Sequence, residues 1–457
     1  MEYQNNIFDD IRPYYDSEIS SAMSRIAESP YFPKLASFVF PGSSVDEIRE
    51  MILSIDNIYD FQYKVMHQAN LRIIEESITD FTYSGLERID PDNQYLFVSN
   101  HRDIMLDASL LQSVLVNHNY KTTEITFGAN LMKGQLVIDV GKSNKMFKVE
   151  RPGGSIKEFY KASKHLSDYI RMTLKEKKES IWIAQRNGRT KDGVDRTDQG
   201  IINMFRMSYD GDKVQSISEL NIVPVAVSYE WEPCDLLKVM ELYISNYHTG
   251  TYVKKEGEDL NSILTGIIQP KGKVHFAICK PICIDELMPF SELPSNEFNR
   301  KVAGLIDQRI CSEYVLTPNN YIAYDMLKGN EQYSSEYTPE DKLAFSRHLS
   351  SLNAYSEACD VEELKEILLD NDYPASNKKL LESVIKQLQN LTPEGKAAFE
   401  LWCDTRNLPD FDIEGITVDY MKTYHHANDI AVILAYDGLV RNPKSAYLLK
   451  KPVIKHP

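Results

Sequence analysis

A chain of 457 residues that is 42% apolar and 10% aromatic is too long for one small core, so two or three folded domains are expected. Its 51 Lys and Arg against 67 Asp and Glu leave a net charge of −16, which argues against nucleic acid as a general partner. The charge is uneven. Residues 142–191 are rich in Lys and Arg, whereas the C-terminal stretch leans acidic. That pattern points to a particular anionic ligand or a membrane-facing side.

The start, "MEYQNNIFDDIRPYYD", is polar and acidic and does not read as a secretory leader. No run approaches the roughly 20 uninterrupted apolar residues of a membrane span. Cys234, Cys279, Cys283, Cys311, Cys359 and Cys403 are scattered. "CKPIC" falls in an apparent strand without a second pair at zinc spacing, so reduced thiols in a cytoplasmic protein are expected.

Taken in chain order, residues 1–82 form an expected N-terminal helical region. Ile48, Met51, Ile52, Ile55 and Ile58 share one stripe, and Ser44 stands three residues before Glu47 as in a capping box. Residues 83–324 alternate short apolar runs with amphipathic ones. The runs "YLFVSN", "EITFGAN", "KMFKVER", "SIWIAQ", "NIVPVAVSY" and "KVHFAICKPI" predict strands, and "SIKEFYKASKHLSDYIRMTLKEKK" predicts a helix. This order predicts an α/β domain with a mixed, largely parallel sheet flanked by helices. Residues 325–457 return to helical spacing, as in "PEDKLAFSRHL" and "VEELKEILLDNDYP". His425 and His426 there have no partner pattern and read as structural or exposed.

The sharpest local feature is "SNHRDIMLDA", residues 99–108, directly after an apolar run. Its "HRD" invites a protein-kinase reading, but Ala108 stands where that motif needs Asn and no D-F-G follows. One His and two Asp could begin a metal site, yet no second ligand cluster appears. A His–acid dyad is the remaining chemical reading. Imidazole takes a proton from an attacking hydroxyl while a carboxylate fixes its tautomer. His101 is the candidate base, and Asp103 and Asp107 are both candidate partners. Short H…D spacings also arise by chance, leaving a polar helix start as the plain alternative.

Four ordered blocks change that balance. "NHRDIMLD" resembles N-H-x4-D after a strand, and "KMFKVER" resembles a hydrophobic–basic strand closed by arginine, here Arg151. "RNGRTKDG" resembles E-G-x-R-S, with Gly188 and Arg189 matching, and "IVPVAVSYE" resembles an apolar strand with proline, here Pro224. "GKVHFAICKPI" resembles the strand that trails them. Together the blocks resemble the glycerolipid acyltransferase superfamily, which includes glycerol-3-phosphate and lysophosphatidate acyltransferases. Two departures stand out. Five residues separate His101 from Asp107 where the family has four, and Arg186 or Gln185 replaces the glutamate of the third block.

The resemblance implies transfer of a fatty acyl group from acyl-CoA or acyl carrier protein to a hydroxyl, with no cofactor beyond that co-substrate. It implies His101 and Asp107 as catalytic residues. Arg151, Arg186, Gly188, Arg189 and Lys191 would hold the phosphate of a glycerol-phosphate or lysophospholipid acceptor. Lys142, Lys145 and Lys148 face water or attract anionic headgroups. Tyr229 and Trp231 line a channel or pack in the core, with packing the commoner fate of such aromatics. A peripheral place on the cytoplasmic face of a membrane follows from the substrates. The altered third block leaves open a hydroxy-acyl amino-acid lipid acceptor, or a non-catalytic lipid-binding scaffold of the same fold.

Overall fold

The computed structural model describes residues 6–150, 155–245, 252, 254–255, 257–355 and 361–371. Five helices come first: α1 (Asp16–Glu28), α2 (Phe32–Val39), α3 (Val45–Leu53), α4 (Ile58–Phe61) and α5 (His67–Ser77). The capping box at α3 forms, with the Glu47 amide donating to the Ser44 hydroxyl and the Ser44 amide to the Glu47 carboxylate. Ile48, Ile52 and Ile55 of the predicted stripe are buried together with Ile19, Met23 and Phe61, and Met51 and Ile58 pack on their rim.

The sheet then builds from β1 (Ile78–Ser84), β2 (Leu96–Ser99), β3 (Glu124–Gly128), β4 (Met146–Val149), β5 (Ile181–Ala184), β6 (Ile222–Tyr229) and β7 (Gly272–Ile278). Helices α6 (Leu106–Asn117), α7 (Gln135–Ser143) and α8 (Ile156–Met172) lie between β2 and β5. Helices α9 (Gln199–Arg206), α10 (Lys213–Ser218), α11 (Asp235–Tyr243) and α12 (Glu258–Ile268) lie between β5 and β7. After the sheet come α13 (Ile284–Leu287), α14 (Ser295–Glu313), α15 (Pro318–Lys328), α16 (Pro339–Ser350) and α17 (Val361–Asn371).

The seven strands are ordered β1-β7-β6-β2-β5-β3-β4. All neighbours are parallel except β6 and β7, so the sheet is mixed and largely parallel. Its central strands are covered on both faces, which is why they read as continuous apolar runs. Leu96, Val98, Ile181, Ile183 and Ala226 meet the α8, α9 and α14 side. Phe97, Trp182, Val225 and Val227 meet the α6 side. A further core joins α11, α15, α16 and α17.

Three boundaries differ from the sequence reading. β1 begins at Ile78, inside the stretch read as helical, and carries the sheet across residue 82. It is an edge strand with only Ile78 fully buried, so "ITDFTYS" lacks the apolar signal of a central strand. α15 likewise runs across residue 325. β7 stops at Ile278, which puts Cys279 and Cys283 outside it; Pro281 has no amide to extend the ladder. Arg151, Cys359, Cys403, His425, His426 and the C-terminal stretch beyond 371 lie outside the described residues.

Candidate active site

The site starts where β2 ends. Asn100 is fully buried and clips the chain to β6, its side-chain amide donating to the Val227 carbonyl at 2.9 Å and its side-chain oxygen accepting from the Val227 amide at 2.8 Å. His101 follows, with 14% of its side chain exposed. The next residues have no regular structure until α6 begins, and Asp107 is its second residue.

From that first turn the Asp107 carboxylate folds back over the loop and is completely buried. One oxygen accepts from the Arg102 amide (2.7 Å), the Asp103 amide (2.9 Å) and His101 Nδ1 (3.0 Å). The other accepts from the Tyr229 hydroxyl at 3.0 Å. An ionised carboxylate only accepts, so Nδ1 carries the imidazole hydrogen and Nε2 keeps its lone pair. The helix N-terminus favours the negative charge. The residue extra to the four-residue spacing is absorbed in the turn, whose two amides converge on one carboxylate oxygen.

Asp103 does something else. One of its oxygens accepts from the amides of Met105 and Leu106, both at 2.8 Å, and so starts α6. Its other oxygen is buried without a hydrogen-bond partner among the described residues. Burial, with the nearby Asp107 charge added, pushes its carboxyl above the usual range. A Cβ placed on Gly266 of α12 would stand 2.3 Å from that oxygen. Gly266→Ala is therefore expected to force the two elements apart and cost about 1–3 kcal/mol, read as a lowered denaturation midpoint.

Arg102, between the histidine and the acids, turns inward and is among the most buried side chains. Its guanidinium donates to Asp195 at 2.5 and 3.1 Å and to Glu232 at 3.2 Å. Lys238 of α11 also pairs with Glu232 and donates to the Arg102 carbonyl at 2.7 Å. Burial works against the Arg102 cation, but Asp195 and the groups around it outweigh that and hold its pKa well above the ordinary value. The loop after β5 is tied to the same place, because the Thr190 amide donates to the His101 carbonyl at 2.8 Å.

That loop carries most of the predicted cations. Arg189 is buried near Asp103 and Cys234, and its Nη1 has no hydrogen-bond partner among the described residues. Arg186 is half-buried and donates to the Val194 carbonyl at 3.3 Å. Lys191 is ion-paired with Glu241. Gly188 has φ +79°, a left-handed conformation that suits glycine, with open space where a side chain would project. Gln185 is fully buried, and its Oε1 accepts from the Thr197 hydroxyl at 3.4 Å. Arg151 lies outside the described residues.

Residues 80–228, from β1 through β6, match the family described as Acyltransferase. That segment is an acyltransferase-family domain by its match. Within this acyltransferase domain lie His101, Asp107 and the whole loop after β5. Among solved structures, 1-acyl-sn-glycerophosphate (LPA) acyltransferase, PlsC, from Thermotoga maritima is 14% identical. That similarity covers 62% of this chain and 91% of PlsC, with a TM-score of 0.30. Signal Recognition Particle 54 kDa protein from Aeropyrum pernix is 10% identical over 95% of this chain and 94% of its own, with a TM-score of 0.18. No curated protein matches the chain.

The site also contains groups that the sequence does not reveal. Tyr229 was weighed only as a channel or core aromatic, yet its hydroxyl touches Asp107. The signal was its place at the end of a wholly buried strand, where a phenol must find a partner. Arg102 and Asp195 gave no signal beyond their charge. Of the weaker basic residues, Lys145 pairs with Glu179 at 2.8 Å, Lys148 with Glu150 at 2.5 Å, and Lys142 stacks on Tyr14.

Proposed function

We propose that the acyltransferase domain moves a fatty acyl group from acyl-CoA or acyl carrier protein to the hydroxyl of a glycerol-phosphate or lysophospholipid-type acceptor. The observation that carries this reading is the His101–Asp107 pair at the carboxyl edge of the sheet, which leaves Nε2 without a hydrogen-bond partner among the described residues. In the proposed reaction Nε2 takes the acceptor hydroxyl proton as the oxygen attacks the thioester carbonyl. The tetrahedral intermediate then expels the thiolate, which receives that proton from the imidazolium. Asp107 stays ionised throughout and holds the ring. The thioester is the only co-substrate the chemistry requires.

The acceptor's phosphate fits the loop after β5. Arg189, whose buried Nη1 has no hydrogen-bond partner among the described residues, and Arg186 would pair with it, Gly188 would let backbone approach, and Arg151 would close the set. Lys191 would contribute only by leaving Glu241. Since a lysophospholipid acceptor and the acylated products reside in bilayers, we propose a peripheral place for the protein on the cytoplasmic face of a membrane.

Thiol release from long-chain acyl-CoA and acyl carrier protein, measured against a panel of acceptors, tests the proposal. Release should rise with glycerol-3-phosphate or lysophosphatidate. Stimulation only by a hydroxy-acyl amino-acid lipid would reassign the acceptor, and silence with every pair would leave a lipid-binding scaffold.

A further inference from the structure

We infer that the first two turns of α8 are an anchor that seats the active-site edge of the sheet on a bilayer containing anionic lipid. Deeper in the helix, Leu166 and Ile170 lie on the apolar stripe that packs into the core. The same stripe continues back through Phe159 to Ile156 at helical spacing, but there it is open. Ile156 is 90% exposed, and Phe159 and Tyr160 are each 61% exposed.

These turns are firmly helical without packing. The Glu158 amide donates to the Ser155 hydroxyl and the Ser155 amide to the Glu158 carboxylate, a complete capping box. Charge selects the occupant. Lys157 and Lys161 flank the three apolar side chains, both are exposed, and neither forms an ion pair among the described residues. Lys164, one turn on, is by contrast spent on Asp168. Apolar and aromatic side chains bracketed by uncompensated lysines match the acyl and anionic headgroup layers of a membrane surface.

Position connects the anchor to the chemistry. β2, β5, β3 and β4 are parallel neighbours, so the chain leaves β4 toward α8 at the edge where it leaves β2 toward His101. Three strand spacings, about 15 Å, separate the ends of β2 and β4. The inference rests on the proposed lipid acceptor for its purpose, though its measurement does not.

Co-sedimentation with phosphatidylcholine vesicles, with and without added phosphatidylglycerol, tests it. Wild-type protein should bind the mixed vesicles more tightly. Ile156→Ser/Phe159→Ser/Tyr160→Ser should lose at least roughly tenfold in affinity. Lys157→Gln/Lys161→Gln should lose about fivefold per lysine on mixed vesicles and little on phosphatidylcholine. Circular dichroism checks folding, and Phe159→Ser alone replaces the triple variant if that fails. Sedimentation as wild type by the apolar variants would overturn the inference. So would absence of wild-type binding, or a wild-type dimer that these substitutions dissociate. Vesicle binding is read without turnover, so an inactive enzyme that still binds through these residues refutes only the acyl-transfer reading.

Discussion

His101→Ala should lower acyl transfer by roughly 10³–10⁴-fold while leaving the fold intact. The side chain reaches the surface and among the described residues its ring makes one hydrogen bond, to Asp107, so its removal leaves no cavity deep in the core. Asp107→Asn should cost a comparable factor for another reason. An amide can present its NH2 to Nδ1 and turn the imidazole to the tautomer that cannot accept a proton. It would also face the amides of Arg102 and Asp103, so some stability should be lost. Asp103→Asn keeps an oxygen to accept from Met105 and Leu106, and its turnover should stay within about tenfold of wild type. Steady-state thiol release from the three variants decides the matter. A fully active His101→Ala protein would end the mechanism, and equal losses in the two aspartate variants would end the assignment of Asp107.

The second large effect lies beneath the site. Arg102→Met should destabilise the protein by about 3–5 kcal/mol, because Asp195 and Glu232 would be left buried with one cation, Lys238, between them. That is a sizeable part of the 5–15 kcal/mol typical of a folded domain. Denaturant midpoints of Arg102→Met, Asp195→Leu and the double variant form a cycle. The double variant should recover part of the loss, since an apolar pair of similar volume strands fewer charges. If Arg102→Met melts within about 1 kcal/mol of wild type, the cluster contributes little to holding the His101 loop.

The sequence made some of this visible and hid the rest for definable reasons. Central strands such as β2 and β6 announce themselves because both faces are covered, whereas β1 presents polar residues at an edge and passes for the tail of α5. His101 was legible from its blocks. Its partner was not settled, because the longer spacing leaves the loop path to decide between two acids. Contacts that depend on strand order left no trace in the sequence. Tyr229 reaches Asp107 only because β6 lies beside β2, and Lys191 meets Glu241 only because α11 passes the loop after β5.

The Arg102 cluster also bears on how the protein reaches its working state. Its bonds join residues 93 and 130 positions apart, and Tyr229 meets Asp107 across 122 positions. Such contacts close large loops, so they form only once β2, β5 and β6 are already side by side. An intermediate with its helices and local turns in place would hold His101 without an oriented ring. Recovery of activity should then be among the last signals to return during refolding, after helical content and after burial of Trp182 beneath His101.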